Sequence, residues 1–336
     1  MSSLPLGPIA DRAASQPFVI ALVDDEAVRT WSQVADELQS SAAAMLAVAP
    51  DPDSRWGVLG DNAAPTLLAH AAGLLAGVGT VAISRQLTLR ELADQIQDAG
   101  IVGLVAGAGG AAVAIEALAA GLVATVVVHS CAVSTGAPEG VVTWDAWIAA
   151  SSKILELPVR PPRPVMVYTS GTTGRARGTE TRWVRAPVET SDDYLRVLRE
   201  RAQFPSGAHI VVGPLQHNGP LAAVRHLLLG ETVIIMGRFD AARALALIDE
   251  YDVCSSVMVP THFQRMLALD PEIRAQHHLG SIAMIAHTGS ACPPDVKRAM
   301  IDWLGPVFTE SYGGSESGTL CRIHSTEWLA HPGSVG

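Results

Sequence analysis

The sequence is poor in cysteine, and the cysteines it has are scattered. Its 336 residues include four: Cys131, Cys254, Cys292 and Cys321, with no C-x-x-C pair among them. Thiolate metal clusters use closely spaced ligands, and disulfide scaffolds belong to short secreted chains. Neither class fits, and a reducing cytoplasm does. Positive charge is also scarce. Lys and Arg total 23 against 33 Asp and Glu, for a net charge of −10. General nucleic-acid binders need a basic footprint, so that class is excluded and any anion site must be a local basic pocket. The opening MSSLPLGPIADR lacks a basic stretch followed by an apolar run, so it does not read as a signal peptide. No membrane span is expected either. Gly100 to Val128 is long and nearly uncharged, but GAGG at 107–110 interrupts it and Glu116 lies inside it. It reads as strand, helix, strand of a buried sheet. Heptad runs and internal repeats are missing too.

Hydrophobic residues make up 49% of the chain, enough for a sizeable core. From Trp56 onward, short β-rich runs alternate with helical stretches. Trp56–Leu59, Val78–Ile83, Ile101–Val105 and Val123–Val128 read as strands, separated by helices at Pro65–Ala76, Thr88–Gln97 and Ala111–Leu118. Thr88 with Glu91 three residues on is a capping-box pattern. PVRPPRP, ending at Pro164, is a rigid extended connector. The same alternation resumes beyond it. Strands are expected at Val165–Tyr168, His209–Val212, Thr232–Met236, Ser256–Val259 and Ile282–His287, with helices at Asp192–Gln203, Pro220–Leu229, Asp240–Tyr251, His262–Leu269 and Pro294–Leu304. This pattern predicts an α/β fold of two packed, mostly parallel sheets.

Four strand-end segments carry the chemistry. In TSGTTGRARG, Thr169 to Gly178, a glycine-rich loop follows a strand. Its backbone N–H groups, hydroxyls and Arg175 and Arg177 suit phosphate oxygens. It fits no register of the P-loop G-x-x-x-x-G-K-[ST]. In ESYGGSES, Glu310 to Ser317, Glu316 offers a metal carboxylate, Ser315 a hydroxyl and Tyr312 a flat face for a base. Gly314-Ser315-Glu316 ends on Ser317 rather than Gly, so the nucleophile elbow G-x-S-x-G fails. GPLQHNGPL, Gly213 to Leu221, sets His217 in a turn at a sheet rim, where ligands of parallel sheets bind. HTGSACPP, His287 to Pro294, is a turn of small residues that can lie flat against a ring.

Taken in order with FDAARALALIDEYDVCSSVMVPT, these segments resemble the adenylate-forming enzymes, from about Trp56 to the end of the chain. GPLQHNGPL looks like the histidine motif of the acyl-CoA synthetase branch. The resemblance implies ATP-dependent activation of a carboxylate as acyl-AMP, then transfer to coenzyme A. It implies that Thr169, Ser170, Gly171, Thr172, Thr173 and Gly174, with Arg177, hold the outer phosphates. Tyr312 would stack on adenine against Gly289, Ser290 and Ala291, with Glu310, Ser311, Gly313 and Gly314 alongside. Ser315 would donate to the α-phosphate and Glu316 would bind Mg²⁺. His217, Met258, Pro260, Thr261, Phe263, Gly289 and Gly313 would line an acyl pocket for a bulky apolar acid.

The family usually has Pro-Lys where Ala176-Arg177 stand, and Thr where Ser315 stands. HPGSVG resembles the lead-in to a β-barrel. Residues 1–164 are therefore expected as a first subdomain, 165–325 as a second and 326–336 as the start of the barrel. A small C-terminal domain would lie beyond the barrel, leaving this chain incomplete for thioester formation. The resemblance leaves the acyl acceptor open between coenzyme A and a carrier protein. It also leaves open a homodimer, and a non-catalytic nucleotide- or acyl-adenylate-binding module as the alternative function.

Overall fold

Strand and helix alternate along nearly the whole computed structural model, which describes residues 4–132, 136–151, 157–169, 177–314 and 316–336. The strands are β1 (Ile20–Val23), β2 (Val28–Thr30), β3 (Arg55–Leu59), β4 (Thr80–Ala82), β5 (Ile101–Ala106), β6 (Thr125–Val128), β7 (Val141–Thr143), β8 (Met166–Thr169), β9 (Arg177–Glu180), β10 (His209–Val211), β11 (Val233–Ile235), β12 (Ser255–Met258), β13 (Met284–His287), β14 (Phe308–Gly314) and β15 (Gly318–His324). A seven-stranded sheet runs β7-β6-β5-β3-β4-β8-β9, and an eight-stranded sheet runs β15-β14-β13-β12-β10-β11-β1-β2. All pairs are parallel except the hairpins β1–β2, β8–β9 and β14–β15. The two mostly parallel sheets expected from the alternation are therefore present.

The sheets do not divide at 164/165. β8, from beyond the proline connector, pairs with β4 at Val81↔Met166 and so extends the first sheet. β1, from the N-terminal stretch, pairs with β11 and joins the second. The connector is held against the first sheet by its arginines. Arg160 Nη2 donates to Pro50 O at 2.6 Å, and Arg163 Nη1 to Ser54 O at 2.8 Å. A proline run fixes local direction but carries no information about which edge it reaches. Residues 326–336 contain no strand; Ser325–Ala330 is helical and a turn follows.

Between the sheets lies a layer of helices. Every residue of Ala64–Leu75 is buried. A helix apolar on all sides belongs in the middle of a protein. It packs with Trp31–Val48 and Ala223–Leu228 in one cluster that includes Trp31, Leu67, Leu74, Val211, Leu227 and Val233, so both sheets share a core. The other face of the eight-stranded sheet buries a second cluster containing Met258, Phe263, Ile285, Met300, Phe308 and Trp328. No helix among the described residues is long and apolar enough to cross a membrane.

Candidate active site

Three neighbouring parallel strands, β12, β13 and β14, come level at one rim. Met258 of β12 is in register with His287 of β13, and His287 with Glu310 of β14. The segments just past these residues therefore meet at one rim. Thr288 Oγ1 donates to Ser311 O at 2.9 Å, tying the Thr288–Ala291 turn to β14. Gly289 has φ +87°, a left-handed conformation that only glycine adopts without strain. Gly289, Ser290, Ala291 and Tyr312 are exposed, Tyr312 at 59%. An open aromatic face thus stands beside a turn with little side-chain bulk.

β14 runs on through Tyr312 into an antiparallel hairpin with β15, with a register shift between Tyr312 and Gly313. A Cβ on Gly313 would lie 2.0 Å from Gly318 O, so the closeness of the two strands requires glycine there. Gly314 N donates to Ser317 Oγ at 3.1 Å. The hairpin turn presents Glu316 to the seven-stranded sheet. Thr169, the last residue of β8, donates from Oγ1 to Glu316 Oε1 at 2.6 Å across a sequence separation of 147 residues. Thr169 pairs in register with Arg177 of β9. The Thr169 hydroxyl, then the backbone N–H of Glu316, and then the charge of Arg177 hold the Glu316 carboxyl below its ordinary range. Ser170, Gly171, Thr172, Thr173, Gly174 and Ser315 lie outside the described residues.

The GPLQHNGPL turn follows β10, the next strand of the same sheet. His217 is exposed and stands at the N-cap position of the short helix Asn218–Leu221, without a side-chain capping bond. The single helix expected over Pro220–Leu229 is divided, because Ala223–Leu228 forms a separate helix after it. A Cβ on Gly219 would lie 3.1 Å from Val257 Cγ1 and 3.9 Å from Thr288 Cγ2. The histidine turn therefore lies against both β12 and the Thr288–Ala291 segment.

Several expected site residues are placed differently. Met258 and Phe263 are 1% and 0% exposed within the second core cluster. Phe263 meets Phe308 edge to face at 5.4 Å and His287 at 5.3 Å, so it packs as core under the rim. Pro260 is buried at the first position of the helix Pro260–Leu267, while Thr261 is exposed. The Glu310 carboxylate is turned inward. It accepts from Lys297 Nζ at 2.6 Å, with His287 Nε2 at 3.8 Å. Burial first, and then the Lys297 charge, push the His287 pKa down to about 3. Burial also pushes the nearby Cys292 thiol up to about 11, with Glu310 adding to the shift, which makes it a poor nucleophile at neutral pH.

Sequence reasoning missed two positioning groups. Asn62, just past β3 of the first sheet, clamps the histidine turn of the second. Its Nδ2 donates to Gly213 O at 2.8 Å and Met236 O at 3.0 Å, and its Oδ1 accepts from Leu215 N at 2.9 Å. The signal was GDN at the carboxyl end of a parallel strand. Lys297, the partner of Glu310, sits within a helix whose pattern gave no such hint.

Among the described residues, no group of three or more His, Cys, Asp and Glu side chains is arranged to hold a metal ion. Among the described residues of the rim, Glu316 supplies an exposed carboxylate, held below its ordinary pKa range. One carboxylate completed by substrate phosphates is a common way to hold Mg²⁺, so the donor set fits that ion.

A family model described as AMP-binding enzyme matches residues 9–336. The chain belongs to the AMP-binding enzyme family. It is 27% identical over 93% of its length to the 3-[(3aS,4S,7aS)-7a-methyl-1,5-dioxo-octahydro-1H-inden-4-yl]propanoyl:CoA ligase of Mycobacterium tuberculosis, of which it spans 63%. It is 26% identical over 96% of its length to a feruloyl-CoA synthase of Amycolatopsis, of which it spans 62%. The chain thus spans less than two thirds of the length of these relatives. Among solved structures, the fold matches the inhibitor-bound N-terminal domain of FACL13 from Mycobacterium tuberculosis with a TM-score of 0.76. That match has 20% identity and covers 100% of this chain and 82% of that one. The anthranilate CoA ligase AuaEII in complex with anthranoyl-AMP matches with a TM-score of 0.74 at 18% identity, covering 93% and 60%.

Proposed function

We propose that this family member activates a bulky apolar carboxylic acid with ATP, as the large N-terminal part of an acyl-CoA ligase. The carboxylate oxygen attacks the α-phosphorus of ATP, and the bond to the β,γ-diphosphate breaks, giving acyl-AMP and pyrophosphate. The thiol of coenzyme A then attacks the acyl carbonyl and AMP leaves. The observation that carries this reading is the Thr169–Glu316 bond. It ties Thr169, the first residue of the expected phosphate loop, to a carboxylate of the other sheet.

In this reading, residues 169–174 and Arg177 hold the outer phosphates through N–H groups, hydroxyls and charge. Ser315 donates to the α-phosphate. Tyr312 covers one face of adenine, with Gly289, Ser290 and Ala291 against the other, and the Gly313–Gly314 backbone leaves room for the phosphates. Glu316 would hold Mg²⁺, which offsets charge on the departing pyrophosphate. The acyl group lies between His217, Thr261 and the Gly289 turn, with the buried Met258, Pro260 and Phe263 supporting that wall. Catalysis of this kind rests on positioning and charge stabilisation, which the rim geometry can supply. The reading of an apolar acid rests on the wall residues named here, none of which carries an acid or a lysine or arginine side chain. It is in keeping with the fused-ring propanoyl and feruloyl names of the relatives. The four cysteines are all free, in keeping with a cytoplasmic location.

The test is titration of the chain with a non-hydrolysable acyl-adenylate analogue, beside ATP–pyrophosphate exchange in the enzyme that contains it. Saturable binding that weakens on Tyr312→Ala is expected. No binding at millimolar analogue would overturn the reading.

A further inference from the structure

A second cavity lies at the other end of the strands. Phe204 to Ser206 lead into β10, and Glu231 lies two residues before β11, so this region is at the amino ends of these strands, opposite the rim that the carboxyl end of β10 borders. The cavity has a volume of about 280 Å³ and is walled by Trp183, Phe204, Arg225, His226 and Leu229. Adjoining it, and sharing Phe204, is a second hollow of about 450 Å³.

Arg225 is the anomaly here. Arg225 is only partly exposed, yet no carboxylate lies within ion-pair distance of its guanidinium among the described residues. Its Nε is buried without a hydrogen-bond partner among them. The group lies over the rings of Phe204 at 5.4 Å and Trp183 at 5.7 Å, which offsets only part of the cost of removing a cation from water. Burial, and to a lesser degree the charge of Arg322, pull its pKa down to about 10 against an opposing effect of Tyr194, so it is still charged at neutral pH. A guanidinium with no carboxylate partner among the described residues presents a planar fork that matches a carboxylate.

The surroundings reinforce that charge. Arg199 and Arg201 also border the cavity, in a chain of net charge −10. The one acid on its wall, Glu231, is already engaged, accepting from Ser206 Oγ at 2.6 Å and Gly207 N at 2.9 Å. The rest of the wall includes Trp183, Phe204 and His226 among aliphatic residues such as Leu198 and Leu229. His226 stacks on His209 at 3.8 Å and 12°, and Phe204 meets His226 edge-on at 4.7 Å. Burial holds both imidazoles neutral. His226 Nε2 is also without a partner among the described residues. A flat apolar body would rest against this wall with its anionic end on Arg225.

We infer that this cavity is a second ligand site, separate from the rim, that takes a small planar organic carboxylate with its head on Arg225 and its ring against Phe204 and His226. The size suits a single-ring acid. The proposal does not depend on the adenylation reading, since none of these residues belongs to the rim.

The experiment is calorimetric titration of the 336-residue chain with benzoate, and separately with inorganic phosphate. Four forms are compared: wild type, Arg225→Met, Ala202→Trp and Glu316→Ala. Ala202 is an exposed residue at the cavity mouth, so its replacement fills the mouth without disturbing the core. Saturable benzoate binding is expected, weakened roughly tenfold or more by both Arg225→Met and Ala202→Trp and unchanged by Glu316→Ala. Phosphate is expected to bind at least about tenfold more weakly, because it gains nothing from the aromatic wall. If Arg225→Met fails to fold, Ala202→Trp decides alone. Benzoate binding that is undetectable, or untouched by the cavity variants, or lost only in Glu316→Ala, would overturn the proposal. Phosphate binding as tight as benzoate would overturn the organic part of it. A rim that fails to bind acyl-adenylate would leave these outcomes as they are.

Discussion

Replacing Lys297 by Met should destabilise the protein by about 3–5 kcal/mol, because it leaves a carboxylate buried without its counter-ion. The side chains of Lys297 and Glu310 are 0% and 7% exposed and meet at 2.6 Å. Lys297 Nζ also lies 4.8 Å from the Trp328 ring centroid. Met is unbranched and only one atom shorter, so most of the packing is kept and the lost charge dominates. His287, 3.8 Å from the same carboxylate, loses the Lys297 charge that helps keep it neutral, but burial, the larger cause of its low pKa, stays in the variant and opposes its taking over as counter-ion. Per kcal/mol, the melting temperature of a chain this large shifts by about 2 °C, so a drop of about 6–10 °C is expected. The assay is urea and thermal unfolding followed by circular dichroism, extended to the double variant Lys297→Met/Glu310→Leu. Removing both charges should recover most of the loss, since an apolar replacement of a whole buried pair is often neutral or better. A single variant within about 1 kcal/mol of wild type would refute the reasoning, because no exposed pair costs more than that to break. So would a double variant as unstable as the single one.

Glu316→Ala should abolish Mg²⁺-dependent ATP–pyrophosphate exchange in the enzyme while leaving its melting temperature unchanged, since the side chain is exposed; exchange at the wild-type rate would remove Glu316 from the proposed metal site. Asn62→Ala removes the two hydrogen bonds that clamp the histidine turn, to Gly213 O and from Leu215 N, along with a third to Met236 O. Exchange of the Leu215 amide should accelerate roughly tenfold or more, for a loss of about 1–3 kcal/mol, and unchanged protection would show the clamp to be idle. Acid should also destabilise the fold. His70 and His209 are 1% and 0% exposed, with pKa values pushed down to about 3 by burial. Their folded values lie below the unfolded value of about 6.5, so the unfolded state binds more protons in between; stability is complete above that pH and falls toward pH 3 by about 1.4 kcal/mol per unit for each histidine. Urea midpoints that stay flat between about pH 7 and 5 would contradict this linkage.

The parts of the fold that were legible are those whose cause is local. The capping box at Thr88 forms as its spacing implies, with Thr88 N donating to Glu91 Oε2 at 2.9 Å. The strand–helix alternation from Trp56 onward is read from apolar runs and their breaks, and the strands appear there within a few residues. The same logic was available and unused at Thr30-Trp31-Ser32-Gln33, whose capping box opens the helix Trp31–Val48. Sheet membership was not legible. Nothing in residues 20–30 reveals that β1 will pair with β11, because that choice is made by the shared helical layer. The site divided in the same way. Tyr312, Gly289 and Glu316 stand at strand ends, where chain order and small residues mark them. Asn62 and Lys297 act through partners more than a hundred and about a dozen residues away respectively, and Glu310 and Phe263 look the same in sequence whether they face ligand or core.

The rim is shared between two sheets, so its geometry depends on bonds that cross between them, and Thr169→Val tests the most direct one. Thr169 ends β8 of one sheet and Glu316 follows β14 of the other. Their 2.6 Å bond is the main cause of the depressed Glu316 pKa, ahead of the backbone N–H and Arg177. Valine keeps the shape and removes only the donor. The carboxyl pKa should then move up toward its ordinary value. An ionised Glu316 is the form that can hold a cation, so the acid limb of the pyrophosphate-exchange profile should shift to higher pH. Thr169→Ser retains the hydroxyl and should restore the wild-type limb, which separates loss of the bond from loss of packing. Carbon NMR of labelled Glu316 reads the same shift directly, without depending on activity. An acid limb and a Glu316 titration that are identical in wild type and Thr169→Val would show that the bond does not set the charge. A serine variant that behaves like valine would show that the methyl group of Thr169, rather than its hydroxyl, holds the two sheets in place.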